Sequence, residues 1–80
     1  MPNGIFNWCY DDVTAFLKEK GFIFLEERAG SHEAWLNKDT EAIVEINFHG
    51  NKHSFVPRTL ETMIRQSKID KKEWRKWAGS

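Results

Sequence analysis

Residues 22–37 read FIFLEERAGSHEAWLN. The first seven are apolar and aromatic and then charged, which suits a strand. Ala29-Gly30 follows as a tight turn, because glycine takes a positive φ without a Cβ penalty. Residues 31–37, SHEAWLN, then return as a second strand. A hairpin in the middle of an 80-residue chain dictates what its flanks must do, which is to cover one of its faces.

Outward from the hairpin, KDTE turns the chain again. In AIVEINFHG (42–50) Val44, Ile46 and Phe48 alternate with Glu45, Asn47 and His49. That period of two predicts a half-buried third strand, ended by Gly50-Asn51. Upstream, Asp11 and Asp12 are N-cap candidates for a helix that places Val13, Phe16 and Leu17 on one face and stops at Gly21. Downstream, Pro57 disfavours helix just before it, and Thr59 caps a helix over LETMIRQSK with Leu60, Met63 and Ile64 inward. Asp70 and Glu73 form a capping box for a short amphipathic helix, whose Trp74 and Trp77 anchor the core. The expected architecture is α+β in the order α-β-β-β-α with a short C-terminal helix. Its three-stranded antiparallel sheet is covered on one face by helices. Residues 1–10 read as an N-terminal extension in which Ile5, Trp8 and Cys9 continue the apolar spacing, and residues 11–78 as a single domain.

Composition narrows the function classes. Six Phe and four Trp supply the core of a small domain, and 30% charged residues mark a globular chain. The single cysteine, Cys9, excludes an internal disulfide and fits a reducing cytoplasm. There is no apolar run of roughly 18 residues and no secretory pattern at the N-terminus, so a soluble cytoplasmic protein with no membrane partner is expected. The formal net charge of zero hides an asymmetry. Residues 1–49 carry four basic side chains against nine acidic ones, whereas residues 50–80 carry eight against three. A basic second half is what a polyanion-docking surface requires, although a solvated helix face would carry the same residues.

Four stretches, taken in order, resemble a known family. VTAFLKEKGF is similar to its first helix with a Gly-Phe ending, and GSHEAW to its Gly-Ser-His motif at the start of strand two. FHGNKH resembles the His-Gly end of strand three, and RTLETMIRQSKIDKKEWRKW the Thr-Leu helix with its acid-capped tail helix. The family is that of HicA-type toxins, the YcfA-like mRNA interferases, with a double-stranded-RNA-binding-like fold, and the resemblance spans about residues 10–78. This chain departs from it in the N-terminal extension, in the acidic Glu41–Glu45 stretch, and in Gln66-Ser67-Lys68 where Gln-Ala-Gly is usual. The resemblance implies a toxin of a type II toxin–antitoxin system. Such a toxin is an endoribonuclease that cleaves mRNA, is neutralised by a HicB-type antitoxin, and uses His32 as its catalytic residue.

The chemistry that this implies needs few groups. RNA carries its own nucleophile, the 2′-hydroxyl, so a base, donors for the phosphorane and an acid suffice. A histidine with an ordinary pKa of about 6.5 suits the base role, and cationic neighbours would favour its neutral form. By alternation His32 shares a face with Ala34 and Leu36, the pair expected under the helices, where a lone histidine is more often packed than catalytic. Its place at the first step of the strand puts it at the rim instead. Gly30 and Ser31 shape the turn; for Ser31 a phosphate contact is the alternative to that turn role. His49, Lys52 and His53 follow strand three, with Lys52 the candidate for phosphorane stabilisation and His53 for the acid. Arg58, Arg65, Lys68, Lys71 and Lys72, continued by Arg75 and Lys76, form the expected RNA-backbone footprint. Trp35 is expected to be exposed and available to stack on a base. The spacing His49-x-x-x-His53, with His32 and Cys9, invites a zinc reading, but the ligands come from unrelated segments without a Cys-x-x-Cys partner. No metal or cofactor is expected. A non-catalytic RNA- or protein-binding module of the same fold is the alternative, since the acidic first half weakens phosphate attraction.

Overall fold

The computed structural model describes residues 7–48, 50 and 52–79. Residues 1–6 of the expected extension and the candidate site residue His49 lie outside these. The element order is α1 (Tyr10–Glu19), β1 (Phe22–Arg28), β2 (His32–Asn37), β3 (Ile43–Asn47), α2 (Pro57–Ser67) and α3 (Lys71–Gly79). The three strands form an antiparallel sheet in the order β1-β2-β3, so β2 is central. This is the expected α-β-β-β-α plan with its additional C-terminal helix.

The helix starts differ from expectation. α1 is capped by Cys9, not by Asp11 or Asp12. Asp12 is the third helical residue, and its carboxylate reaches back to accept from the Cys9 backbone N–H and from Cys9 Sγ, both at 3.0 Å. An acidic residue three places into a helix does this as readily as it caps. α2 begins at Pro57 with Val56 as N-cap, which leaves Thr59 inside the first turn. Proline fits there because its fixed φ is helical and its missing N–H would have no partner in any case. At α3 the Asp70 carboxylate accepts from Lys72 N at 2.8 Å as expected of a cap. Glu73 does not reach back to complete a box; it pairs with Lys20 Nζ at 3.3 Å and so ties α3 to the end of α1.

The core is an aromatic cluster set against the sheet. Trp8, Phe16 and Trp74 are fully buried. The Trp8 ring stacks on Trp77 at 5.3 Å between centroids, lies 5.2 Å from Trp74, and meets Phe16 edge-on at 5.8 Å. Trp8 therefore belongs to the packed body although the sequence places it in the extension. Phe22, Trp35, Val44 and Ile46 face this cluster from the sheet, and Leu60, Met63 and Ile64 close it from α2.

The faces of β2 are opposite to expectation. Trp35 is 4% exposed and lies across from Val44, on the helix side of the sheet. His32, Ala34 and Leu36 consequently point to the open side. The helix layer leaves a gap that an indole fills and an alanine does not, and this fixes which face of β2 turns inward. Trp35 is thus unavailable for stacking on a base. Phe48, expected to continue the buried row, lies past the end of β3 at 37% exposure, with its ring edge-on to Tyr10.

α2 ends on Lys68 in the left-handed region, with φ 60°, a place that glycine usually holds because a Cβ there costs about 1–2 kcal/mol. Lys68→Gly is expected to raise stability by about 1 kcal/mol, read as a higher midpoint of urea unfolding with an unchanged slope.

Candidate functional site

The site is built on the turn between β1 and β2. Arg28 and His32 are the last cross-strand pair, so Ala29, Gly30 and Ser31 form a three-residue loop. Gly30 and Ser31 both have positive φ, at 77° and 63°. Glycine is suited to the first of these, and a Cβ added there would lie 3.4 Å from His32 Cδ2. The imidazole therefore leans back over the turn. Ser31 spends its backbone on the turn and its carbonyl on Phe48 N, which donates at 3.0 Å, so its sequence-based role as a turn residue is the one visible here.

His32 is exposed and sits in a cross-strand row, with Arg28 on one side and Asn47 on the other. Sequence reasoning assigned no role to Arg28 or Asn47. Arg28 was legible from the hairpin, since it and His32 are equidistant from Gly30, but Asn47 needed the register between β2 and β3. The Arg28 guanidinium donates to Glu26 at 2.9 Å and to Glu45 at 2.7 Å. Those two carboxylates flank Ala34, and Arg28 bridging them roofs Ala34, which is fully buried on the open face. Arg28 is therefore a charge already satisfied, and its field at His32 is offset by the two glutamates. Farther along the same face Ile23, Leu36 and Ile43 form a second row. Ile23 is 44% and Ile43 38% exposed, so one end of the open face is apolar and the other carries the imidazole.

Next to Asn47 lies a cavity of about 200 Å³ lined by Asn47, His53, Ser54, Phe55, Val56 and Thr59. The structure thus brings His53 and, through Asn47, His32 to one end of the sheet. Lys52 is turned elsewhere, with its Nζ 3.3 Å from Asp11 Oδ2 at the start of α1. Of the expected backbone footprint, Arg58, Arg65, Lys68 and Lys72 are exposed and make no ion pair among the described residues. Arg58 and Arg65 lie two turns apart on one stripe of α2. Lys71 is committed to Glu61, joining α3 to α2. Among the described residues no group of three or more His, Cys, Asp or Glu is placed to hold a metal ion, and no helix is long and apolar enough to cross a membrane.

On the helix side, directly behind His32, Glu33 accepts from Tyr10 Oη at 2.6 Å and from Trp35 Nε1 at 3.1 Å. This fastens the start of β2 to the start of α1. Burial, and then the hydrogen bond to the Glu33 carboxylate, push the Tyr10 phenol well above its ordinary value. Comparison with known proteins adds no relative: no family model matches the chain, and no curated protein or solved structure does either.

The phenol gives a pH prediction. In the unfolded chain Tyr10 ionises near its ordinary pKa of about 10, whereas the folded chain holds the proton to a higher pH. The stability that this contributes is complete below about pH 10 and is lost as pH rises toward the folded value. Tyr10 is the sole tyrosine, so the ultraviolet phenolate band reports on it alone. That band should appear only well above pH 10 or together with unfolding. Tyr10→Phe should cost about 1–2 kcal/mol at neutral pH and lose less stability than the parent between neutral and alkaline pH.

Proposed function

We propose that this chain is a metal-independent endoribonuclease of the HicA type. It is the toxin of a toxin–antitoxin pair, cutting mRNA in the cytoplasm and held inactive by a HicB-type antitoxin. The observation that carries this reading is the placement of His32. The one imidazole of the Gly30-Ser31-His32 motif stands exposed at the rim of the sheet, on the face that no helix covers.

A phosphodiester can reach a group so placed, and a neutral imidazole there takes the proton of the 2′-hydroxyl as the oxygen attacks phosphorus. The leaving 5′-oxygen needs a proton in turn, for which His53, lining the same cavity as Asn47, is a candidate. Neither step needs a metal, because the nucleophile is supplied by the substrate. Arg58, Arg65, Lys68 and Lys72 hold the strand by its phosphates, contacts that are indifferent to sequence and sensitive to salt. Lys52, paired with Asp11, must release that carboxylate before it can stabilise a phosphorane. An exposed pair of this kind is held weakly enough to exchange.

A second reading has its own observation. The apolar row Ile23, Leu36, Ile43, exposed at its two ends on the face that carries His32, is what a protein partner would cover. Under the toxin reading that partner is the antitoxin, and covering the row would also cover the imidazole. Under the alternative the domain only binds.

Cleavage of a mixed-sequence single-stranded RNA in the presence of EDTA separates the two readings. The parent chain is expected to cut, and His32→Ala to lose at least about a hundredfold in rate while it keeps its RNA affinity and, as an exposed substitution, its fold. RNA bound but left uncut by both proteins would overturn the nuclease reading in favour of the binding module. A cyclic phosphate at the product ends would identify the 2′-hydroxyl as the nucleophile.

A further inference from the structure

The cavity beside His32 has a chemistry of its own. Its walls combine Phe55 and Val56 with the amide of Asn47 and the side chains of Ser54, His53 and Thr59. No lysine or arginine is among these lining residues, so the cavity is not built for a phosphate. At about 200 Å³ it is below the roughly 300–1,000 Å³ of pockets for drug-sized ligands, which limits the occupant to a small flat fragment.

Asn47 is the unusual member. Its side-chain amide makes no hydrogen bond among the described residues, and its Oδ1 is buried without a donor. A buried amide oxygen left unpaired costs about 1–3 kcal/mol, and native structures tend to avoid that expense unless the group has another use. The unpaired oxygen leaves the amide an acceptor for a donor that enters the cavity. That is the pairing an asparagine makes with the edge of a nucleobase. Its Cα is the cross-strand partner of His32 on the same face, a separation of about 4.5–5.5 Å in antiparallel strands.

We propose that this cavity is a nucleobase pocket, which takes one unstacked base of a single-stranded RNA adjacent to the phosphodiester presented to His32. The base lies between Phe55 and Val56, and the Asn47 amide pairs with its hydrogen-bonding edge, the manner in which single-stranded RNA is read. The proposal rests on the nuclease reading for the role of His32. It gives that nuclease a preference for one base next to the bond it cuts.

The test uses the full chain labelled with ¹⁵N, into which adenosine, guanosine, cytidine and uridine are titrated separately, with inorganic phosphate as a fifth arm. One nucleoside is expected to shift the Asn47 side-chain amide and the Ser54 and Thr59 backbone amides, and phosphate alone to leave them in place. Asn47→Ala, which removes no hydrogen bond from the fold, should weaken that nucleoside at least tenfold, and Asn47→Asp, which keeps the size and loses the donor, should change which nucleoside is preferred. Silence from all four nucleosides, shifts from phosphate alone, or equal binding by Asn47→Ala would each overturn the pocket. Cleavage of RNA with silent nucleosides would do so and leave the nuclease standing. Asn47-dependent nucleoside binding without any cleavage would sustain the pocket and remove the nuclease.

Discussion

The packing of Trp8 against Trp74, Trp77 and Phe16 is the interaction on which the rest of the molecule depends. A chain of this size buries a smaller fraction of its surface than a larger domain does, so a few large aromatics must do what many aliphatics do elsewhere. Trp8 joins the two ends of the described chain, since Phe16 belongs to α1 and the other two rings to α3. Its consequences run through the backbone. The Trp8 carbonyl accepts from Phe55 N at 2.8 Å, and Cys9 bridges Ser54. The aromatic cluster therefore fixes residues 54–56, and with them one wall of the cavity and the first turn of α2. The indole N–H of Trp74 has no acceptor in this cluster, a local cost that the burial of the ring outweighs.

The second constraint is the division of β2 between its two faces. Because Trp35 and Glu33 are taken up by the helix layer, His32 is left on the side open to solvent. The charges on that side are arranged with equal consequence. Arg28 is bound by Glu26 and Glu45, so the cation nearest the imidazole along the sheet attracts a polyanion weakly. Arg58, Arg65, Lys68 and Lys72, on α2 and around the start of α3, are by contrast exposed and make no ion pair among the described residues. Zero net charge does not by itself rule out a polyanionic partner, because carboxylates already ion-paired, as Glu26 and Glu45 are with Arg28, leave cations elsewhere uncompensated.

Much of this was legible in the residues. The alternation of Val44 and Ile46 with Glu45 and Asn47 marked β3 and assigned its faces correctly, because beyond Ile43 its open face is polar. β2 was harder: Ala34 and Leu36 on one face and Trp35 on the other are all apolar, and periodicity then finds the strand but not its inward side. The helix ends were misplaced for a related reason. Asp12, Thr59 and Glu73 each carry a side chain that serves equally at a cap or inside a first turn, and the carboxylates can also enter a tertiary ion pair; the neighbours decide among these. Lys68 in the left-handed region is a case that local preference argues against; the turn made there leads into α3, where Lys71 meets Glu61 of α2.

The sequence by itself determined the order of elements, the hairpin that centres on Gly30, the aromatic nature of the core and the rim position of His32. Each of these follows from properties that act within a few residues: periodicity, turn stereochemistry and side-chain size. Only the tertiary structure decided that Trp35 lies inside, that Arg28 is neutralised, that Lys52 is turned to Asp11, and that Asn47 lies between His32 and a cavity. Those facts depend on strand register and on which segments pack together. Register is set by the fit of whole layers, and no short stretch of this chain contains that information.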